Sequence, residues 1–241
     1  MRPMIGIAFF SLLTISGCDA LVSGAGTTLM GNGVTTEQKR QLAAFEEVDI
    51  SESFEATITL GSAPSVTLQV DENLVNLVRT SVNGGVLSVT YVDGPIIVTN
   101  KPQKIAIVVP SLSRIVARGA SKITSGVVEK KHFTIESEGA ASVEVKGLDC
   151  DQVDVKVSGA GRVSIEGKGK SLTLDASGAS RLKGQDTLFD SARVSMSGAT
   201  RCEVNVTRSI DGELSGASLL TVEGGPTDRS IKVLGAARVA Y

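Results

Sequence analysis

Few side chains in this sequence have the chemistry of a catalytic centre. Its single histidine is His132, within the charged segment EKKHF. A lone histidine among charged residues is typical of a surface turn, so we predict that His132 is solvent-exposed in a turn. No Ser-His-Asp arrangement or histidine-based zinc cluster is indicated, because both need specifically spaced partners. The sequence therefore predicts no catalytic residue, no cofactor-binding residue and no metal ligand.

The three cysteines are Cys18, Cys150 and Cys202. Cys150 follows Gly139 by eleven residues, whereas Cys202 follows Gly198 by four. Both glycines mark a repeat of about twenty residues, so the two cysteines fall at different phases of different repeats. Because a disulfide needs Cα atoms within about 7 Å, we predict that Cys150 and Cys202 do not pair.

Carboxylates offer two further kinds of chemistry. Asp149, Asp151 and Asp154 are close enough in sequence to suggest a calcium site. The glycine-rich nonapeptide of calcium-binding β-rolls is missing, however, so a solvated charged face is the better interpretation. Paired carboxylates elsewhere would suit a polysaccharide lyase or glycosidase, and this enzyme hypothesis stays open as the alternative.

The N-terminus has the pattern of an export signal. Arg2 precedes an apolar stretch over residues 4–13, which is followed by TISGC ending at Cys18. A basic start, a short apolar core and small residues at a cleavage site describe a secretory signal. The letters ISGC resemble the bacterial lipobox, which predicts a signal peptide over residues 1–17 and lipid on Cys18. The alternative is an ordinary signal peptide with a coincidental cysteine.

Residues 18–44 contain the small and polar runs SGAGTT and GNG. This composition is typical of a flexible linker. We therefore predict a tether over residues 18–44, with order beginning near Phe45.

The element that must position any site is a repeated Gly-Ala pair in the C-terminal half. The glycines of successive pairs are 18 to 20 residues apart, at Gly119, Gly139, Gly159, Gly178, Gly198, Gly216 and Gly235. Self-similarity at a fixed period is the sequence signature of a solenoid, in which each coil buries its apolar face against its neighbours. The sequence predicts an all-β solenoid with about 19–20 residues per coil over residues 112–241.

Within each coil, apolar and polar residues alternate, as in VDVKV over residues 153–157. Strict alternation predicts β-strands with one buried face. Glycine permits the positive φ of a tight corner, and alanine is small enough to fit inside it. We therefore expect Ala179 and Ala199 to pack inward. The hydroxyls of the serines before four of the glycines are expected to bind corner backbone groups, at Ser158, Ser177, Ser197 and Ser215.

Residues 45–111 are β-like but less regular. Strands are predicted near residues 48–50, 54–60, 66–70, 86–92 and 105–109, with a short helix over residues 71–78. No linker separates this region from the repeats. We predict an irregular N-terminal cap and first coils that continue into the solenoid.

Composition excludes several function classes. Aromatic residues make up 3% of the chain and tryptophan is absent, which disfavours an aromatic platform for sugars or nucleic-acid bases. Removal of residues 1–17 leaves 23 of the 24 Lys and Arg side chains against 26 Asp and Glu, a net charge of −3. No basic footprint for nucleic acid is therefore expected.

The lipobox, the tether, the segments FEEVDI and DENL and the repeated SGAS together resemble the auto-transporter adhesin head domains called GIN domains. The resemblance covers residues 45–241. It implies a right-handed parallel β-helix exported to the bacterial cell envelope. It supplies no catalytic residues.

The function predicted from the sequence is a lipid-anchored, non-enzymatic envelope protein for adhesion or envelope organisation. The expected partners are the membrane through the lipid, an envelope protein or glycan, and a second copy through the C-terminal coil. The alternative is a carbohydrate-active β-helix enzyme. Facing carboxylates in a cleft would favour the enzyme, whereas a smooth prism would favour the binding module.

Overall fold

The computed structural model describes residues 27–241. Within this range the chain forms nineteen strands and a single 3₁₀ turn at Val75–Leu77. No helix in this range is long and apolar enough to cross a membrane. The strands are β1 Thr28–Met30, β2 Thr35–Arg40, β3 Glu47–Ile50, β4 Phe54–Leu60, β5 Ser65–Asp71, β6 Val78–Asn83, β7 Val86–Tyr91, β8 Ile96–Val98, β9 Gln103–Val109, β10 Arg114–Ala117, β11 Lys122–Ser125, β12 Val128–Ser137, β13 Ser142–Val157, β14 Arg162–Ala176, β15 Arg181–Met196, β16 Arg201–Leu214, β17 Leu219–Glu223, β18 Asp228–Val233 and β19 Arg238–Ala240.

The C-terminal half is a parallel stack of coils. β13, β14, β15 and β16 each run through most of one coil, and each pairs in parallel with the next. Val143 pairs with Val163, Val163 with Leu182, and Leu182 with Cys202. The predicted all-β solenoid is confirmed, with about six turns.

Alternation along each strand separates the core from the surface. In β14, Val163, Ile165, Leu172 and Leu174 are buried, whereas Arg162 is exposed. Burying one such aliphatic side chain contributes about 1.5–3 kcal/mol. The same inward positions recur on every coil, so one narrow apolar core runs the length of the stack.

The Gly-Ala corners stack directly on one another. All seven glycines have positive φ, between +68° and +82°. The amide of Ala179 donates to the carbonyl oxygen of Gly159 at 2.7 Å, and the amide of Ala199 donates to that of Gly178 at 2.7 Å. A Cβ added to Gly178 would lie 2.5 Å from the Gly159 oxygen. The corner therefore requires glycine for both its dihedral angle and its close backbone approach.

The corner alanines point outward, so the prediction that Ala179 and Ala199 pack inward is wrong. Both are exposed, and the next residues, Ser180 and Thr200, are buried instead. Glycine and alanine form the outside of the bend, so the first side chain that reaches the interior belongs to the residue after alanine. Small residues fill this inward position on the seven coils, namely Ser121, Ala141, Gly161, Ser180, Thr200, Ser218 and Ala237.

The hydrogen bonds predicted from the serine hydroxyls to corner backbone groups are only partly present. The Ser215 hydroxyl donates to the Met196 carbonyl at 3.3 Å. The hydroxyls of Ser158, Ser177 and Ser197 make no hydrogen bond within residues 27–241. Their backbone amides bind the preceding coil instead, as that of Ser158 does to Ser137 at 2.9 Å.

The N-terminal region continues the stack and then covers it. β3 and β4 pair in parallel with β10 and β11, so the irregular coils join the repeats without a break. β7 and β9 add the next layer in parallel. Beyond them the pairing becomes antiparallel, through β6 on β7 and β5 on β9. The five strands predicted in this region are confirmed.

The prediction of a flexible tether over residues 18–44 is wrong for its described part. β2 pairs antiparallel with β5 from Thr35 to Arg40, and β1 pairs with β8. β2 reads TTEQKR and has no apolar alternation, because it is an outer strand held by the backbone of β5. Residues 18–26 lie outside the described residues, as does the predicted signal peptide.

The helix predicted over residues 71–78 is a single 3₁₀ turn without a side-chain cap. Asp71 is buried, and its carboxylate accepts a hydrogen bond from the Gln103 amide at 3.2 Å. Leu74, just before the turn, is buried in the core.

We predict that Gly178→Ala destabilises the fold by about 1–3 kcal/mol, because a side chain there has an unfavourable positive φ and meets the preceding coil. Gly126→Ala is the matched control, since φ at Gly126 is not positive and its added Cβ has open space. Urea denaturation midpoints measure both effects. Equal midpoints would show that the corner does not require glycine.

Candidate functional site

His132 lies in strand β12 and not in a turn, which corrects the sequence prediction, but its side chain is 54% exposed as expected. Its Nε2 is 2.7 Å from an oxygen of Asp154 on the next coil. Burial alone would raise the pKa of Asp154, but hydrogen bonds from Gln152 and His132 outweigh it and lower that pKa. His132 therefore links two coils through a surface hydrogen bond.

Cys150 and Cys202 are both buried and unpaired, as predicted. Burial raises the pKa of the Cys150 thiol, and it raises that of Cys202 to about 12. The thiolate is the reactive form of cysteine. These two thiols are therefore protonated core side chains and poor nucleophiles.

The acidic run at residues 149–154 forms ion pairs between coils. Asp149 lies 2.9 Å from the Lys168 ammonium, and Asp151 lies 2.6 Å from that of Lys170. Among the described residues, no group of three or more His, Cys, Asp or Glu side chains is placed to hold a metal ion. The arrangement is a charged face with paired charges.

A denser ion-pair network joins the first coils. Arg114 lies between two carboxylates, 3.4 Å from Glu47 and 3.1 Å from Glu136. Arg118 lies between Asp49, at 3.2 Å, and Glu138, at 3.0 Å. The two arginines thus connect the three successive coils that contain β3, β10 and β12.

Asp49 is the carboxyl group in this network that best suits acid catalysis. Burial raises its pKa, although the nearby charge of Arg118 opposes the shift. A groove of about 220 Å³ nearby is lined by Glu136, Glu138 and Asp175. A raised carboxyl pKa beside other carboxylates is the pattern of a glycosidase acid. However, Asp49, Glu136 and Glu138 each form an ion pair with an arginine.

A row of basic side chains follows the other edge of the Gly-Ala corners. The third residue after each corner glycine begins a new strand and points outward. These positions are Lys122, Ser142, Arg162, Arg181, Arg201, Leu219 and Arg238, paired in register from coil to coil. We call the five cationic members the basic row.

The centre of the basic row consists of three arginines on consecutive coils. Arg162 pairs with Arg181 and Arg181 with Arg201, and all three side chains are exposed. Among the residues described, none of the three makes an ion pair or a side-chain hydrogen bond. The opposite side of the same corners differs, since Arg193 there binds Asp211 at 2.9 Å.

Two shallow grooves flank this centre. One has a volume of about 280 Å³ and is lined by the cationic residues Lys122, Arg162, Arg181 and Lys183 and by one acidic residue, Glu144. The other, of about 350 Å³, lies between the three arginines and the exposed corner alanines. Open grooves with unpaired guanidinium groups are suited to binding anions. The row was not predicted, although basic residues three positions after successive corner glycines are a readable signal.

Together these features define a parallel β-solenoid with a capped N-terminal end and a cationic row beside its corners. The family model described as "Putative auto-transporter adhesin, head GIN domain" matches residues 44–226. The chain therefore belongs to this family, which confirms the resemblance seen in the sequence.

Solved structures share the fold. A putative adhesin from Bacteroides fragilis is 21% identical with a TM-score of 0.83, over 88% of this chain and 99% of that one. A putative lipid binding protein from Parabacteroides distasonis is 15% identical with a TM-score of 0.69, over 89% and 99%. A putative adhesin from Parabacteroides merdae is 15% identical with a TM-score of 0.68, over 89% and 98%. A search of curated proteins gave no match.

Proposed function

We propose that this protein is a non-enzymatic binding head, held at the bacterial cell envelope by lipid on Cys18, that serves adhesion or envelope organisation. The observation that carries the proposal is the basic row, an unneutralised charged surface along a rigid solenoid. Several charged groups elsewhere form ion pairs between coils, such as Asp149 with Lys168 and Arg193 with Asp211. The family description and the names of the similar structures support a binding role.

The anchor and the head are close in sequence. Nine residues separate Cys18 from β1, which begins at Thr28. A fully extended chain of this length reaches about 35 Å, so the head is held near the bilayer. Exposed apolar side chains of the β1 and β8 region, Met30, Val34 and Ile96, support contact between this end and the membrane interface.

The alternative is a carbohydrate-active enzyme, and the raised pKa of Asp49 is the observation that favours it. In that case Asp49 is the group that donates a proton. The neighbouring Arg118, 3.2 Å away, stabilises the carboxylate and works against that role.

We further propose that the last coil binds a second copy of the chain. Within the described residues, β18 pairs only with β16 and β19 only with β17, so one edge of each is open. Val233 and Leu234 are 44% and 41% exposed there. Open strand edges with apolar side chains favour association. Tyr241 packs under Arg229, with 4.2 Å from guanidinium to ring centre, and covers the end only in part.

For the anchor, we expect the mature protein to begin at acylated Cys18 and to fractionate with membranes, because several lipid chains anchor stably. Mass spectrometry of the N-terminus measures this. Cys18→Ser is expected to remain unacylated. An unmodified N-terminus at another residue would contradict the proposed anchor.

For the function, we expect the immobilised protein to retain envelope glycans or proteins without changing them. Chromatography of bacterial and plant polysaccharides after incubation with the protein measures turnover. Asp49→Asn is the decisive variant, because it removes the proton that the alternative needs while keeping a similar shape. Turnover by the unmodified protein that this variant loses would establish the enzyme instead.

For self-association, we expect the double substitution Val233→Lys and Leu234→Lys to yield monomers where the unmodified protein forms dimers in light scattering. Charge at the open edge opposes strand pairing. The matched control changes two exposed apolar residues on other strand and loop positions, Val127→Lys and Leu188→Lys. A monomeric unmodified protein, or equal behaviour of both variants, would contradict the proposal.

A further inference from the structure

We infer that the basic row binds a linear acidic polysaccharide lying along the axis on which the coils stack. This inference rests on the proposed binding function and names its ligand class. The argument uses the register of the row, the geometry of its guanidinium groups and the shape of the surface beside it.

The row carries an electrostatic cost that the fold does not offset. Neighbouring parallel strands lie about 4.8 Å apart, and like charges directly opposite one another are destabilising. Arg162, Arg181 and Arg201 are opposite one another in this way, whereas Lys183 on the middle coil lies opposite Glu203. On the other side of the corners, Lys232 meets Glu213 at 3.4 Å. Glu144 also lines the groove beside Arg162, but it forms its ion pair with Lys146 at 3.2 Å, so none of the three arginines has a carboxylate partner within the described residues.

The spacing of the row suits a polymer with regularly repeated anionic groups. Each coil presents one guanidinium group, whose planar fork binds a carboxylate or phosphate with two parallel hydrogen bonds. One sugar unit of a linear polysaccharide is similar in length to the distance between coils. Acidic groups that recur on one side of such a chain can therefore meet arginines of the row at whole numbers of coils.

The surface beside the row leaves space for such a chain. Ala160, Ala179 and Ala199 are exposed there, and the corner glycines have no side chains. The resulting trough has a volume of about 350 Å³ and is lined by Ala179, Ala199 and Ala217 beside the three arginines. The trough runs across consecutive coils along the stacking axis, so an extended polymer fits along its length.

The chemistry of the face selects an acidic glycan over other polymers. None of the residues lining the two grooves is aromatic, so neutral sugar rings and nucleic-acid bases have no stacking surface. The narrow row along a trough also differs from the broad cationic surface that a flat anionic membrane favours. Recognition at this face therefore depends on charge carried by an extended chain.

The test is binding of polygalacturonate, a linear polymer of uronic acids, to the full mature protein by isothermal titration calorimetry. Fully methyl-esterified polygalacturonate has the same backbone without charge and is expected not to bind. Poly(glycerol phosphate) and phosphatidylglycerol vesicles distinguish glycan carboxylates from phosphate polymers and from membranes. Binding to polygalacturonate is expected to weaken as salt is added, because the contacts are ionic.

The triple variant Arg162→Gln, Arg181→Gln and Arg201→Gln is expected to bind polygalacturonate at least about tenfold more weakly, a loss of about 1.4 kcal/mol. The matched control, Lys104→Gln, Lys131→Gln and Lys156→Gln, removes the same charge from exposed lysines outside the row. It is expected to bind like the unmodified protein. The arginine variant is also expected to melt at the same or a higher temperature, because like charges no longer face one another.

Equal weakening by both variants would overturn the inference, because net charge would then explain binding. Binding only to vesicles or only to the phosphate polymer would overturn it as well, and so would binding to none of the probes. In each of these cases, retention of other envelope components without turnover would leave the proposed binding function standing. Turnover of a polysaccharide that depends on Asp49 would instead contradict the proposed function itself.

Discussion

The stacked glycine corner is the constraint on which the rest of the structure depends. At each corner a positive φ turns the chain, and one amide donates to the carbonyl oxygen of the corner before it, at 2.7 Å for Ala140 on Gly119. A side chain on the glycine would collide with that backbone. In the coil before Gly119, the corner position is occupied by Glu52, which also has a positive φ of 66°. The Ala120 amide donates to the Glu52 carbonyl oxygen, as the later corner alanines do to the glycine before them. The corners thus hold each coil in register with the next.

Fixed register converts a repeated sequence position into a straight line of side chains. Inside the solenoid these lines form the core, where the largest fully buried side chains are those of Phe45, Phe54, Phe133 and Phe189. Outside, the same geometry decides whether neighbouring charges attract or repel. On one side of the corners, charges of opposite sign face each other and form ion pairs, as Arg193 does with Asp211. On the other side, Arg162, Arg181 and Arg201 occupy the same position on consecutive coils, so charges of the same sign face each other. A surface of this kind is readily changed by substitution, because outward residues contribute little to the core.

The N-terminal region protects one end of the stack by changing strand direction. The parallel layers formed by β7 and β9 are followed by antiparallel β6, β5 and β2. The hairpin between β6 and β7 turns at Gly84 and Gly85, both with positive φ, as a two-residue turn requires. Outer strands of this kind have one solvent-facing side, and the polar sequence of β2 suits that position.

The sequence by itself determined the all-β class, the length of the coils, most inward residues and the unpaired state of Cys150 and Cys202. These properties follow from local alternation and from spacing along the chain, both of which are visible without coordinates. Only the tertiary structure decided that Ala179 points outward while Ser180 is buried, because the direction of a side chain after a corner depends on how that corner stacks. It also decided that β2 belongs to the fold, since the strand is held by hydrogen bonds to β5 and not by an apolar pattern of its own. The same holds for the candidate site, because the charge of the basic row depends on which residues, about twenty positions apart, become neighbours across the stack.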